Sequence, residues 1–389
     1  MPISIYALTL FGFTIGAAEF VIAGILPYIA SNLNVSLPQA GYLVSAYAGG
    51  VFIFAPIAAL VIIKLKLPNK TALLYLAGAF LIGNLMSALA NDYSVLMLGR
   101  IIASIAHGAG FGIGAVLASS LVSKEKANMA IAIMFAGLTV ANVLGVPVGT
   151  FIGQAYGWRA TFWFVIIFGL LAFLGILFLI KQPKEKTKQP NIRQEIKALT
   201  SSPVIFSLLT TCVGWSAVFL ILTYINPLMI NISGFKEVNL GYILIAYGVA
   251  IVFGDLFGAK MADKFPTKST LILLTLSSIT CFVFAYTLNF SALSLATLLI
   301  WGFLSFTAVS AFQGRVVKLS SNAPNLSSTF NIAAFNVANM LGSVIANEMV
   351  DANLSYNTLP IAAGTLGLIG VALLLYSVYL EKKAKIVSI

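Results

Sequence analysis

"GYLVSAYAGG", residues 41–50, returns 200 positions later as "GYILIAYGVA", residues 241–250, with Gly-Tyr and Ala-Tyr in the same places. A second echo, "VANVLG" from Val140 and "VANMLG" from Val337, keeps the same order and almost the same offset. Two such pairs predict a chain built from two copies of one unit, so the fold is to be read once and then doubled.

Composition decides the solvent. Sixty per cent of the residues are apolar and 8% are charged, against roughly 25% charged in an average soluble domain. A water-facing surface cannot be made from so few charges. Apolar runs recur at about the 20-residue length that a membrane-crossing helix needs, and the first of them is expected to be a span rather than a cleaved signal peptide. Cys212 and Cys281 each sit inside such a run. They are read as packing residues, not as a disulfide framework.

Twelve spans are expected, at 5–31, 38–63, 70–91, 94–121, 127–154, 160–181, 204–230, 238–262, 268–289, 292–318, 326–350 and 357–380. "KQPKEKTKQPNIRQEIKALTSSP", from Lys181 to Pro203, is the long polar stretch between the copies, and its Lys and Pro content marks a solvated linker. The predicted fold is an all-α membrane protein of two six-helix bundles, 1–181 and 204–389, joined by a cytoplasmic linker, 182–203. Six spans, a loop and six more preserve orientation, which makes the repeat a parallel one.

Basic residues fall on one side of this scheme. Lys64, Lys66, Lys70, Lys124, Lys126, the linker, Lys260, Lys264, Lys268, Arg315, Lys318 and the tail lysines all group together. That side is expected to be cytoplasmic, with both termini inside the plasma membrane. The formal net charge of +11 is thereby explained as topology and attraction to anionic lipid. No soluble basic face remains to hold nucleic acid.

Ionisable groups inside the spans each need a reason. Glu19, in "GAAEFVIAGILPYIA", lies midway along the first span, where a carboxylate is disfavoured by about 2.5–3.5 kcal/mol on insertion scales. A carboxyl retained there is a candidate to load and release a proton; the plainer reading is a protonated side chain that packs helices. In span four, "GRIIASIAHGAGFGIGAV" puts Arg100 and His107 seven residues apart, two turns along one helix face, with Gly108, Gly110, Gly112 and Gly114 narrowing the helix beyond them. Arg100 is a candidate ion pair, coupling group or snorkelling anchor. His107 is a candidate proton relay, or a buried histidine held by hydrogen bonds.

The 200-residue offset aligns Pro27 with Pro227 but Glu19 with Phe219, Arg100 with Ile300 and His107 with Thr307. Titration is therefore expected in the first half. The second half offers Trp215, Tyr224, Asn226, Trp301, Phe303 and Phe306, suited to embracing an organic ring or simply to filling helix interfaces.

"AEFVIAGILPYIA", "LGRIIASIAHGAGFGIGAV", "LTVANVLGVPVGTFIGQAYGWRATFW" and "NIAAFNVANMLGS" together resemble the major facilitator superfamily. Within it the chain is similar to the twelve-span drug, sugar and purine-nucleoside efflux branch that includes arabinose-efflux-like permeases. The resemblance implies that spans one, four, seven and ten line a central cavity and that Arg100 matches the family's span-four arginine. Gly145, Pro147, Gly149 and Gly153 resemble the span-five antiporter signature, although one residue separates Gly145 from Pro147 where the family has Gly-Pro directly. "GAKMADKFPTK" resembles the gating motif, with Gly258, Asp263, Lys264 and Lys268 in place and Pro266 where a glycine is usual. Asp255, two turns earlier, is a further candidate for this inner lock. The corresponding first-half stretch, "LVIIKLKLPNK", carries no acid, so the lock is expected to be asymmetric.

The Gly-x-Gly of "GAGFGIG" lies inside a span with no strand before it, which points to helix packing rather than nucleotide binding. No phosphate-binding loop and no Ser/His, paired-carboxylate or metal-spacing set is evident, so neither an enzyme nor a cofactor is expected. The reading is a monomeric secondary transporter that exports a drug, sugar or purine nucleoside in exchange for protons. Proton-coupled uptake and a non-transporting membrane sensor are the alternatives.

Overall fold

A computed structural model describes residues 1–123, 126–181, 200–320 and 324–387; the side chains at 59, 60, 63, 128, 259, 260, 262–264, 324–326, 328, 329 and 384–387 are outside the described set. Most of the expected linker also lies outside it. The described residues form thirteen labelled helices and no strand: α1 (Ile3–Leu33), α2 (Leu37–Lys64), α3 (Asn69–Leu89), α4 (Tyr93–Ser120), α5 (Ala127–Val140), α6 (Val146–Tyr156), α7 (Trp158–Leu179), α8 (Ser202–Leu222), α9 (Leu240–Lys264), α10 (Pro266–Thr287), α11 (Ser291–Leu319), α12 (Pro324–Asp351) and α13 (Thr358–Val387). In lipid every backbone N–H and C=O must be satisfied within the segment, which is why uninterrupted apolar runs become helices.

The helix ends follow local chemistry. Asp92 caps α4 by accepting the Val95 N–H at 3.0 Å. Asn34 closes α1 in the left-handed region at φ 53°, and Gly157, at φ 85°, turns the chain into α7 where a side chain would be strained. Between α5 and α6 the helix widens into a π segment, Ala141–Gly145. Pro147, two residues on, has no N–H to donate; the wider turn accommodates that missing bond and keeps span five continuous.

Among the described residues, eleven stretches are long and apolar enough to cross a membrane. They coincide with all the expected spans except 326–350. That segment is α12, a helix of 28 residues that carries five asparagines; five of its first six side chains lie outside the described residues.

The chain divides into two compact units, Met1–Thr187 with Lys236–Gly248, and Lys188–Phe235 with Val249–Ile389. Their internal packing repeats. In the first unit α1 packs on α5 and α7, and α3 on α4 and α7; in the second, α8 packs on α12 and α13, and α10 on α11 and α13. The doubled sequence thus builds the same neighbourhood twice. Glycine sets the tightest crossings in each. Gly137 of α5 lies against the backbone of Thr9 and Phe13 on α1, and Gly342 of α12 against the backbone of Ser216 and Leu220 on α8. Such small-residue contacts let helices approach where lipid provides no hydrophobic drive between them.

Candidate functional site

In the first unit, three of the expected residues come together. Glu19 on α1, with 5% of its surface exposed, lies 3.8 Å from His107 Nδ1 on α4, an ion-pair distance when the imidazole is protonated but too long for a hydrogen bond. Arg100 is one of the largest fully buried side chains and does not snorkel. Its Nη1 donates to the Ala18 carbonyl at 2.6 Å and its Nε to Leu43 O at 3.5 Å, so α4 is tied to the turn of α1 that carries Glu19 and to α2. Two turns separate Arg100 from His107, and both do face inward.

Glycines make this convergence possible. Gly108 of α4 meets Val51 and Ala55 of α2, Gly110 meets the Phe11 ring of α1, and Gly114 meets the Met134 sulfur of α5. Gly112, grouped with them by sequence, faces open space instead. The span-five signature has a related job. Gly145 packs on Phe13 and Ala17, Gly149 on Val21, and Gly153 on Ile25, while Gly149 and Gly153 both also meet Thr161 of α7; Pro147 is buried beside them.

Tyr47 of α2 was missed by sequence reading, although it stands in the opening repeat. It is fully buried. The Arg100 guanidinium carbon lies 4.2 Å from its ring centroid, and the His107 ring 5.9 Å away. Among the described residues the Tyr47 hydroxyl, Arg100 Nη2 and His107 Nδ1 have no hydrogen-bond partner.

In the second unit, Trp215 and Phe306 meet edge to face, with centroids 5.2 Å apart, and Phe335 packs against the same indole at 5.1 Å. The Trp215 N–H donates to Asn339 Oδ1 at 2.9 Å, and the Tyr224 hydroxyl to Asn347 Oδ1 at 3.0 Å. Thr211 donates to Asn331 Oδ1 at 2.8 Å, and Asn331 in turn to Gln313 at 2.7 Å. Asn331, Asn339 and Asn347, eight residues apart, thereby line α12 against α8 and against Tyr224 just beyond its end. That regular spacing was the available signal for this polar seam. Asn226 is buried in the single turn Ile225–Pro227 after α8. Trp301 is fully buried, while Phe303 is half-buried 6.0 Å from the Phe257 ring.

The gating residues are only partly described. Gly258 lies against the Thr307 backbone, Asp255 is half-buried on α9, and Lys268 sits 5.6 Å from the Phe265 ring centroid. The side chains of Asp263 and Lys264 lie outside the described residues. Arg315, expected among the cytoplasmic loop residues, is instead 2% exposed: it donates to Thr267 at 2.6 Å and Ser377 at 2.8 Å, with Glu381 3.6 Å away. The cation joins three helices, α10, α11 and α13. Its burial also means that ionisable groups are not confined to the first half.

Comparison with known proteins agrees with this architecture. The family model described as Major Facilitator Superfamily matches residues 8–347. The inner membrane transport protein YdhP of Escherichia coli O157:H7 is 36% identical, covering 98% of this chain and 97% of its own. A chloramphenicol resistance protein of Streptomyces lividans is 29% identical over 89% of this chain and 88% of its own. Among solved structures, a D-xylose-proton symporter superposes with a TM-score of 0.80 at 16% identity, covering 95% of this chain and 96% of that one, which speaks to the fold alone. With a doubled helical unit, buried polar clusters inside its spans and these relatives, the chain belongs to the major facilitator superfamily and is a multi-pass membrane transporter of small molecules.

Proposed function

We propose that the protein exports a small organic molecule, such as a drug, a sugar or a purine nucleoside, in exchange for protons, as a monomer working by alternating access. Both termini lie in the cytoplasm. The observation that carries this reading is Glu19, a carboxyl 5% exposed inside a membrane span, with His107 at 3.8 Å and Arg100 anchored one residue away at Ala18. Protonation at a carboxylate oxygen removes one charge from the cluster and with it the electrostatic attraction of Glu19 for Arg100 on α4. The two states then favour different helix arrangements, which is what coupling requires.

Recognition is assigned to the second half, through Trp215, Phe306, Tyr224, Asn226, Trp301 and Phe303. Asn339 holds the Trp215 indole by its edge, which fixes the ring for stacking. Asp255, Asp263, Lys264 and Lys268 with Gly258 are assigned to an inner lock of charges made in one state and broken in the other. Gly145, Pro147, Gly149 and Gly153 support exchange by packing span five onto the helix that carries Glu19. Export is favoured over uptake by the relative named for chloramphenicol resistance, because resistance is the phenotype expected of a carrier that removes a toxic compound.

One proton crossing about 150 mV supplies roughly 3.5 kcal/mol, enough for a few-hundred-fold gradient. Glu19→Gln keeps the shape and removes the titration. Thermal-shift screening against chloramphenicol, L-arabinose and inosine selects a probe, and everted vesicles carrying a pH gradient then report its accumulation. The variant is expected to bind the probe and to lose gradient-driven accumulation. Wild-type accumulation with unchanged pH dependence in Glu19→Gln refutes the proton-carrier role, and accumulation in the opposite direction makes the protein an uptake carrier.

A further inference from the structure

Around Glu19, three buried polar atoms from two helices lack hydrogen bonds among the described residues: the Tyr47 hydroxyl on α2, and Arg100 Nη2 and His107 Nδ1 on α4. Isolated orphans of this kind are uncommon, because an unmet buried donor or acceptor is expensive. Here they share one site. Arg100 stacks on the Tyr47 ring at 4.2 Å, His107 lies 5.9 Å from the same ring, and Glu19 interacts electrostatically with both Tyr47 and Arg100. Arg100 is also held by carbonyls next to the other two players: Ala18 precedes Glu19, and Leu43 is one turn before Tyr47. A cluster with several unmet hydrogen bonds in one arrangement has a ready second arrangement in which some of them are made.

We propose that Tyr47 is a positioning residue of the coupling site: its ring holds Arg100 against the Glu19 turn, and its hydroxyl is the alternative partner that the Glu19 carboxyl takes in place of His107. The proposal rests on the proton-coupling reading of Glu19. Tyr47 keeps its own proton throughout; as a donor it satisfies the ionised carboxylate, and the proton that Glu19 gains goes to a carboxylate oxygen. When Glu19 is protonated, the hydroxyl is released and the carboxyl returns toward His107. The charged and titratable groups facing this exchange are Glu19 from α1, Tyr47 from α2, and Arg100 and His107 from α4. Of the helices packed on α1, α5 carries no ionisable residue, and Arg159 of α7 is occupied with the Ala90 carbonyl and Asn32 Oδ1. On α3, Lys70 is occupied with the Leu177 carbonyl at 2.7 Å and Tyr75 is exposed.

A merely space-filling Tyr47 would be replaced by Phe without consequence for proton binding, so the test reads the proton. Purified protein in nanodiscs, with no substrate added, is titrated by infrared difference spectroscopy, following the carbonyl stretch of the protonated carboxyl that Glu19→Gln removes. Loss of one hydrogen bond is expected to move the midpoint of that band by about one pH unit in Tyr47→Phe. His107→Gln is expected to move it the opposite way. The melting temperature of Tyr47→Phe stays at the wild-type value because the Arg100 stack survives; Tyr47→Leu shows a midpoint shift in the same direction and at least as large, with a lower melting temperature. A Tyr47→Phe midpoint equal to wild type overturns the role of Tyr47 while leaving Glu19 as the proton carrier. If Glu19→Gln removes no titrating band, the coupling reading fails and this inference fails with it.

Discussion

The hydrogen bond from Trp215 to Asn339 makes a quantitative claim about how the second unit holds together. It crosses from α8 to α12 at 2.9 Å, and both side chains are buried, at 6% and 5% exposure. Asn339→Leu leaves the indole N–H without that acceptor, at an expected loss of about 1–3 kcal/mol. Trp215→Phe removes the donor but keeps a ring between Phe306 and Phe335, so most of the edge-to-face packing persists. In the double variant neither partner is left behind. The loss is therefore expected to fall below the sum of the single losses by about 0.6–1.7 kcal/mol, the range for interhelical hydrogen bonds in membranes. Reversible unfolding in mixed micelles of dodecyl maltoside and sodium dodecyl sulfate measures all four corners of the cycle. Trp215→Phe is also expected to retain probe binding, whereas Trp215→Ala weakens it by about 1–2 kcal/mol through loss of the stacking face. Additivity of the two single changes within about 0.3–0.5 kcal/mol would refute the claim that the bond couples α8 to α12.

Two further expectations use the same preparations. Arg100→Lys will not rescue Arg100→Ala in gradient-driven transport, because an ammonium cannot bond the Ala18 and Leu43 carbonyls and stack on Tyr47 at once; full rescue in vesicles would mean that only the charge matters. Gly137→Ala is expected to destabilise by about 1–3 kcal/mol by driving a methyl into the Thr9 and Phe13 backbone. Gly112→Ala, which meets nothing, is expected to stabilise by about 0.5–1 kcal/mol, and equal effects in micelle unfolding would contradict the packing described.

The repeated Gly-Tyr and Ala-Tyr pairs were enough to recover the doubled helical architecture, because membrane spans advertise themselves by length and apolarity without regard to their neighbours. Glu19, Arg100 and His107 were equally visible, since each is unusual in lipid. What escaped notice depends on register between distant helices. Tyr47 is unremarked in an apolar run until Arg100, 53 residues later, is laid on its ring. The Trp215 indole reads as a free aromatic until Asn339 is found at its edge, and Arg315 reads as a loop cation until Thr267 and Ser377 close around it. A one-dimensional pattern carries the face of a helix but not the partner it meets. The narrowing ascribed to Gly112 failed for the same reason: its helix position was right, and no neighbour occupies that side.

The asparagines of α12 bear on biogenesis as well as on the mature contact. A segment leaves the translocon for lipid according to its own apolarity, and each of the five asparagines of α12 opposes that release. Its polar seam finds Thr211 and Trp215 on α8 and Tyr224 just beyond it, synthesised more than 100 residues earlier and already in the bilayer. Entry of α12 is therefore expected to be assisted, through docking of Asn331 and Asn339 onto α8 and of Asn347 onto Tyr224, or through passage as a hairpin with α13. Asn339→Leu would then act twice and in opposite senses: it weakens the finished bundle, yet it eases the release of α12 from the translocon.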